Sequence, residues 1–581
     1  MRTVLNRGRA LLAGLAVVVL ALSGCASIPT DGPVGVSAAD ATQPGGVAYE
    51  FNPPGPAEDA EPESIIQGFI TAGLSPADEY GTAREFLTPQ LSRTWQPSAS
   101  TLVYTGQPNV VGGAGAGEFA VEVATTARID EFGVMQRYET AKIETISMVL
   151  DEVDGQWRIG ETPDLTLLEE GSFIDVFGSY PLYFYNATYS HAAPDFRWFA
   201  RRQSLASTLV RALLDGPRPY LEGAVVTAFP ETSELARNAV PVEGRTATVD
   251  FQEAVFADAS ALVRLRMQQQ LELTLDGVNN IGAVQMTVNQ TPITLEGSQE
   301  FVEVSAEAEV PDVQIGIADG QLVLYQGGSS TIEIGNIPDV RSYDPIEPAM
   351  SPAGAEVGGS QYAFVSGDRT HVYIVSQSTG SDGALAEAAM GERFIRPSMD
   401  VHGWLWAVDS GTGKVTVVRA SAEEGLADRQ TSEIAAEWLE GLTVDSFRVS
   451  PDGTRAAVVA GRGEERRLYV IGIIRDSTGV PRGFTELSML PVSVPVGQVV
   501  WDATDAVIVM DPSGTEPVRP ERVRLDGRTE PLNVLLGMTS ISSGPGDDII
   551  VYAEAQGTVW SQVANVWKDN GIEMRGLAYP G

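Results

Sequence analysis

The sequence predicts a multidomain protein: an α+β cone-like domain, then an α/β domain, then an all-β propeller-like C-terminal domain. Three observations predict it. The chain has 581 residues, several times the roughly 100–200 that one domain usually takes. Its hydrophobic periodicity is mixed helical and strand-like at first and almost wholly strand-like from about residue 310. That last stretch also repeats weakly, in Ser351-Pro-Ala-Gly354, Pro397-Ser-Met-Asp400, Ser450-Pro-Asp-Gly453, Trp501-Asp502 and Ser542-Ser-Gly544, at intervals of 41 to 52 residues.

Composition narrows the chemistry. Acidic residues number 77 and basic ones 38, a formal charge of −39. Phosphate backbones and anionic headgroups would be repelled by such a body, so no nucleic-acid partner is expected. With 43% hydrophobic and 20% charged residues, 60 Gly and 35 Pro, the chain is globular and turn-rich. Cys25 is the only cysteine, which excludes intramolecular disulfides, iron–sulfur clusters and cysteine zinc sites. His191, His371 and His402 are the only histidines. No catalytic residue, metal site or cofactor is assigned.

Residues 1–24 read as a signal peptide. Arg2, Arg7 and Arg9 precede an apolar run from Leu11 to Leu22, too short for a hydrocarbon core of about 30 Å but suited to secretion. The run ends in Leu22-Ser23-Gly24-Cys25, which resembles the bacterial lipobox. Small residues admit a peptidase to the bond before Cys25, and the thiol is the nucleophile that takes up diacylglycerol. Cys25 is therefore expected to be diacylglyceryl-modified and N-acylated, an anchor far firmer than one acyl chain. Residues 25–60, rich in Pro, Gly, Ala and acids, form a flexible tether with a reach of roughly 30–35 Å.

Residues 61–170 open with helical spacing at Ile65, Ile66, Phe69 and Ile70, then a second candidate helix near Thr82–Trp95. Strand-like runs follow, including the turn Asp154-Gly155 into Gln156-Trp157-Arg158-Ile159. Helices followed by a curved antiparallel sheet resemble the ketosteroid-isomerase or SnoaL cone. The segment contains no histidine, so a structural or recognition module is expected.

Residues 171–305 carry a strand at Tyr180–Tyr185 and a helix from Gln203 to Leu214, ended by Gly216-Pro217. A strand over Thr246–Phe251, a helix near Ser260–Leu275 and a strand over Ala283–Val288 complete it. This order resembles the GerMN domain of bacterial envelope and sporulation proteins, which implies an α/β interaction module.

In residues 310–581 each repeat leads into a strand such as QYAFVS, GWLWAVD or RAAVVAG. A unit of about 40–50 residues that cannot bury both faces alone fits a propeller blade. The length leaves room for five or six blades; a pair of β-sandwiches is the alternative.

The order lipobox, tether, cone-like, GerMN-like and propeller-like domains, with Tyr180-Pro-Leu-Tyr-Phe184, Arg197-Trp198-Phe199 and Ser450-Pro-Asp-Gly453, is similar to the LpqB family of actinobacterial lipoproteins. The resemblance implies a lipid-anchored protein on the extracytoplasmic face of the cell membrane. It also implies a partner, the extracellular domain of the membrane sensor kinase MtrB. The MtrA/MtrB two-component system thus modulated controls cell-wall homeostasis and division.

Other chemistry is thinly represented. Gly411-Thr-Gly-Lys414 runs into Val415 and reads as a hairpin turn, not a phosphate loop. The glycine-rich Val111–Gly117 reads as a loop, His402 as a structural residue in a blade turn, and Trp404 with Trp406 as blade core. Asp547-Asp548 is a weak calcium candidate at most. Regulation by protein contact is the expected function. Binding of a cell-wall glycan or peptide is the first alternative, and a propeller hydrolase the second.

Overall fold

The computed structural model describes residues 52–581 apart from 116, 308–309, 353–359, 378–382, 422–424, 464, 513–516, 547–548 and 565. Leu22, Ser23, Gly24 and Cys25, the tether to residue 51 and the pair Asp547-Asp548 lie outside the described residues.

The first module begins with α1 (Pro62–Ala72). Pro62 sits in its first turn, where the missing N–H costs nothing. Ile65, Ile66, Phe69 and Ile70 form its buried face. The helix expected over Thr82–Trp95 is instead two single turns, Gly81–Arg84 and Leu91–Thr94. Pro89 cannot continue a helix. The segment before it is drawn to the sheet, where the Ile159 N–H donates to Phe86 O and the Thr88 N–H to Ile159 O, both at 2.9 Å.

A five-stranded sheet follows: β1 (Ser100–Gly112), β2 (Glu118–Asp130), β3 (Met135–Val153), β4 (Gln156–Glu161) and β5 (Thr166–Glu169). Its order is β4-β3-β2-β1-β5, antiparallel except for the β1–β5 pair. Alternation divides β1 between two cores. Leu102 and Tyr104 join the residues of α1, while Val103 packs with Phe173 and Val176 of α2 (Glu170–Val176). The Val111–Gly117 stretch ends β1 and turns toward β2, where Glu118 accepts the Gly115 N–H at 2.9 Å.

The second module pairs β6 (Phe177–Tyr185) with β7 (Ala192–Ala200) as a hairpin, followed by α3 (Leu205–Leu214). Gly216 takes φ +98° after the helix end, a left-handed position a side chain resists. Next come β8 (Val242–Glu243), β9 (Thr246–Phe251), α4 (Ala261–Asp276) and β10 (Ala283–Val288). β9 and β10 lie parallel across the α4 crossover. Ser260 caps α4 by accepting the Val263 N–H at 3.2 Å.

α4 is not amphipathic in the usual way, because several of its faces are covered. Gln268, Gln269 and Gln270 are all buried. Gln268 donates to Val284 O (2.7 Å) and Gln269 to Val304 O (3.1 Å). Gln270 donates to Tyr183 O and accepts the Ala228 N–H, both at 2.9 Å. Three adjacent amides thus join the helix to β10, to the segment leading to the propeller, and to β6.

Among the described residues six further sheets, each of at least four strands, make up the C-terminal domain. Their innermost strands are Arg575–Ala578, Ile346–Met350, Ser398–Met399, Thr443–Val449, Gln498–Ala503 and Met538–Ser542, for blades 1 to 6. These strands neighbour one another in a closed ring, which settles the blade number at six and excludes a sandwich pair. Closure is made by the end of the chain: Arg575–Ala578 pairs antiparallel with Gln314–Ala318, the first strand of the domain.

The weak repeat has a physical role. It falls at the ends of innermost strands, where small polar side chains tie one blade to the next. Ser398 Oγ accepts the Val449 N–H (3.0 Å) and Ser542 Oγ the Tyr579 N–H (3.2 Å), and Ser446, outside the repeat, accepts the Val499 N–H (3.3 Å) in the same way. The second module and the propeller are not separate bodies. One continuous apolar core contains Leu209, Met267 and Leu271 of the former with Val459, Leu468, Val470 and Trp501 of blades 4 and 5.

Candidate functional site: the two mouths of the propeller

The innermost strands all run in one direction, so the channel they enclose has two different ends. At one end lie their C-termini with the repeated serines, and this end is covered. Ser190 and His191 from the β6–β7 turn, residues 303–307 and the terminal Tyr579–Gly581 enclose a chamber of about 240 Å³.

Around that end a polar seam joins the second module to blades 3, 4 and 5. In the Ser450–Arg455 turn, Asp452 accepts the hydroxyls of Ser450 and Thr454, both at 2.6 Å, and the Thr454 N–H at 2.8 Å. Arg455, fully buried, pairs with Asp452 at 3.5 Å and donates to Tyr220 Oη at 3.1 Å. Thr485 Oγ1 donates to Tyr220 O (2.7 Å), and Trp198 Nε1 donates to Asp526 O (2.9 Å). Beside this seam Arg475 and Asp400 form a buried ion pair at 2.5 Å, and Trp406 Nε1 donates to the same carboxylate at 2.8 Å.

His402 is buried in the turn between Asp400 and Trp404, against Gly453 and Gly479. Burial, then Arg475, pushes its pKa down to about 4, so its ring is neutral at physiological pH. Its place is structural. Trp404 and Trp406 are fully buried in blade 3. Gly411–Lys414 is a hairpin turn in which Asp409 accepts the Gly411 N–H at 2.9 Å.

The opposite end is open. A cavity of about 960 Å³ occupies it, lined by the starts of the innermost strands and by the loops between the second and third strands of blades 2 to 5. Six arginines line it: Arg369, Arg393, Arg396, Arg448, Arg466 and Arg575. Glu347, Asp445, Glu465, Asp511 and Glu554 line it too, so the wall is near neutral against a chain charge of −39. Arg369 (3.0 Å) and Arg396 (2.8 Å) grip the two oxygens of Glu347, while Arg575 pairs with Asp344 (3.2 Å) and Arg466 with Asp445. Burial alone would push Glu347 up, but Arg396 and then Arg369 bring it down to about 2. Glu554, on the same wall, is pushed up by burial although it accepts the Leu577 N–H at 2.7 Å.

Arg396 and Arg448 line both the chamber and the open cavity, so they form the floor between them. Each stands two residues before a repeat serine, Ser398 and Ser450. Period two in an extended strand puts arginine and serine on the same side. That shared Arg-x-Ser spacing is the signal by which the sequence could have revealed them. Among the described residues no group of three His, Cys, Asp or Glu side chains converges as a metal site would require.

A six-bladed ring fused to a strand–helix–strand module, with a mixed α/β module before them, defines a multi-module propeller protein. Family comparison refines that class. The LpqB lipoprotein β-propeller domain matches residues 320–576 and the LpqB lipoprotein N-terminal domain residues 55–174. A third model, described as sporulation and spore germination, matches residues 181–294. The two LpqB models together span well over half of the chain, and the chain belongs to the LpqB lipoprotein family.

Lipoprotein LpqB of Thermobifida fusca is 26% identical, with 99% of both chains covered. That of Mycolicibacterium smegmatis is 25% identical, with 98% of both covered. A solved puromycin hydrolase mutant aligns with 46% of this chain and 46% of its own at 17% identity, but its TM-score of 0.31 carries no argument. Membership makes the chain a membrane-anchored lipoprotein, and among the described residues no helix is long and apolar enough to cross a membrane.

Proposed function

We propose that this lipoprotein, anchored through Cys25 on the extracytoplasmic face of the membrane, modulates a sensor kinase of the MtrA/MtrB type by protein contact and without turnover. The observation that carries the reading is the shared core of the second module and the propeller, within a lipoprotein family. It makes one broad, stiff surface, and stiffness lowers the entropy lost on docking. The kinase as partner is supplied by the family resemblance. Anchoring would confine both proteins to one membrane plane and raise their effective concentration.

Purified kinase in vesicles, its extracellular side accessible, tests the reading. Adding this lipoprotein should change autophosphorylation in a concentration-dependent way. The Cys25→Ala variant should need a much higher concentration, and high salt should weaken the contact of so acidic a protein. If binding and autophosphorylation are both unchanged across the series, glycan or peptide binding takes its place.

A further inference from the structure

We propose that the open mouth of the propeller is a binding site for a small carboxylate-bearing ligand, with Arg448 as its buried anchor. The inference does not depend on the kinase reading; it concerns the opposite end of the channel from the seam with the second module.

The starting observation is an unsatisfied cation. Arg448 is 8% exposed, yet it has no ion-pair partner among the described residues. Its Nη1 donates to Pro397 O at 2.5 Å, and its other N–H groups find no protein acceptor among those residues. The buried arginines elsewhere are treated differently: Arg197 is paired with Asp195, Arg455 with Asp452 and Arg475 with Asp400. Burial, then the neighbouring Arg396, lowers the pKa of Arg448 to about 9, which still leaves it charged at physiological pH. A buried charge left without a partner is costly. It is retained here on the floor of a cavity of about 960 Å³, near the upper end of the size that small-ligand pockets have.

The class of ligand follows from the neighbours. The same wall already shows two guanidinium groups holding one carboxylate, in the Arg369–Glu347–Arg396 clamp. A guanidinium fork matches the two oxygens of a carboxylate in plane. Exposed Arg393, with no acceptor for its guanidinium among the described residues, stands on the rim for a second oxygen or a second acid group. Glu347 and Glu554 on the walls oppose the compact double charge of phosphate, whereas carboxylates, with one charge per group, can meet Arg448 and Arg393 separately. The carboxylate could belong to a free organic acid or to the acidic side chain or terminus of a peptide.

Titration calorimetry on the detergent-solubilised full chain, with glutarate, a short acidic peptide and inorganic phosphate as separate probes, decides it. Saturable binding of glutarate or the peptide is expected, weakened roughly tenfold or more in Arg448→Met and less in Arg448→Lys. Whichever probe binds identifies the source. Without ligand, Arg448→Met should melt no lower than the parent, because a charge with no partner has been removed; an arginine kept for structure would give a lower melting temperature. The proposal is overturned if neither carboxylate binds at up to roughly 10 mM. It is equally overturned if phosphate binds more tightly than both, or if the Arg448 variants bind as the parent does.

Discussion

Asp452 ties its own turn to the second module. It is buried, takes three hydrogen bonds within its own turn, and neutralises Arg455, which in turn reaches Tyr220. Asp452→Ala leaves Arg455 charged and uncompensated, so denaturant unfolding should show a loss of about 3–5 kcal/mol. The loss should depend on pH with a definite sign. Burial pushes Asp452 up, but Arg455 and the hydroxyls of Ser450 and Thr454 outweigh it, so its pKa lies below the ordinary carboxylate value. A depressed folded pKa contributes stability that is complete above the unfolded value of about 3.9 and is lost as pH falls through the folded value. The gap between parent and variant should stay level from neutral pH down to about 5 and narrow below about 4; a gap that held to the lowest pH would refute this. The turn itself was legible in Ser450-Pro-Asp-Gly453. Its partner was not, because Tyr220 stands 235 residues away from Arg455 in the chain.

At the scale of elements, α4 carries the clearest lesson. A run of three glutamines in a helix ordinarily marks a solvated face, yet here Gln270 is fully buried and satisfies both Tyr183 O and the Ala228 N–H. Gln270→Leu should strand both groups, at about 1–3 kcal/mol each, and lower the urea midpoint clearly. A midpoint equal to that of the parent would show that water replaces the amide. Periodicity alone places β9 and β10 to the residue and α3 within two, because each buries an apolar stripe that its own sequence displays; α4 is placed within one residue although its buried side mixes Met267, Leu271 and Leu275 with glutamines. It fails over Thr82–Trp95, where Pro89 and the pull of β4 override local preference. β1 escapes it too, because the second half of that strand is exposed and its alternation fades. Arg396 and Arg448 escape for another reason: one lies just before an innermost strand and the other within one, and only the closed ring defines their channel face.

The whole molecule behaves as more than its modules. Sequence composition marks a change of character near residue 310, and it is real in secondary structure, but the apolar core crosses it. Tyr220 and Ala224 press against Gly472 of blade 4, where the backbone approaches so closely that a Cβ would meet Tyr220 O at 2.4 Å. A fragment from Phe177 to the C-terminus should therefore melt in one calorimetric transition. A fragment beginning at Val310 should melt at a lower temperature and bind a hydrophobic dye, because it lacks the module that covers this face and the acceptor for Arg455. Equal stability of the two fragments would show that the modules are independent.

The closing of blade 1 by the last strand of the chain bears on how the protein is made. Gln314–Ala318 emerges early in the propeller and waits for Arg575–Ala578. At about 5–20 residues per second that wait lasts some tens of seconds. Throughout it the domain is an open arc with a free strand edge, a template for wrong pairing. A premature stop anywhere in the final blade would leave the entire ring, and not one blade of it, open to proteolysis.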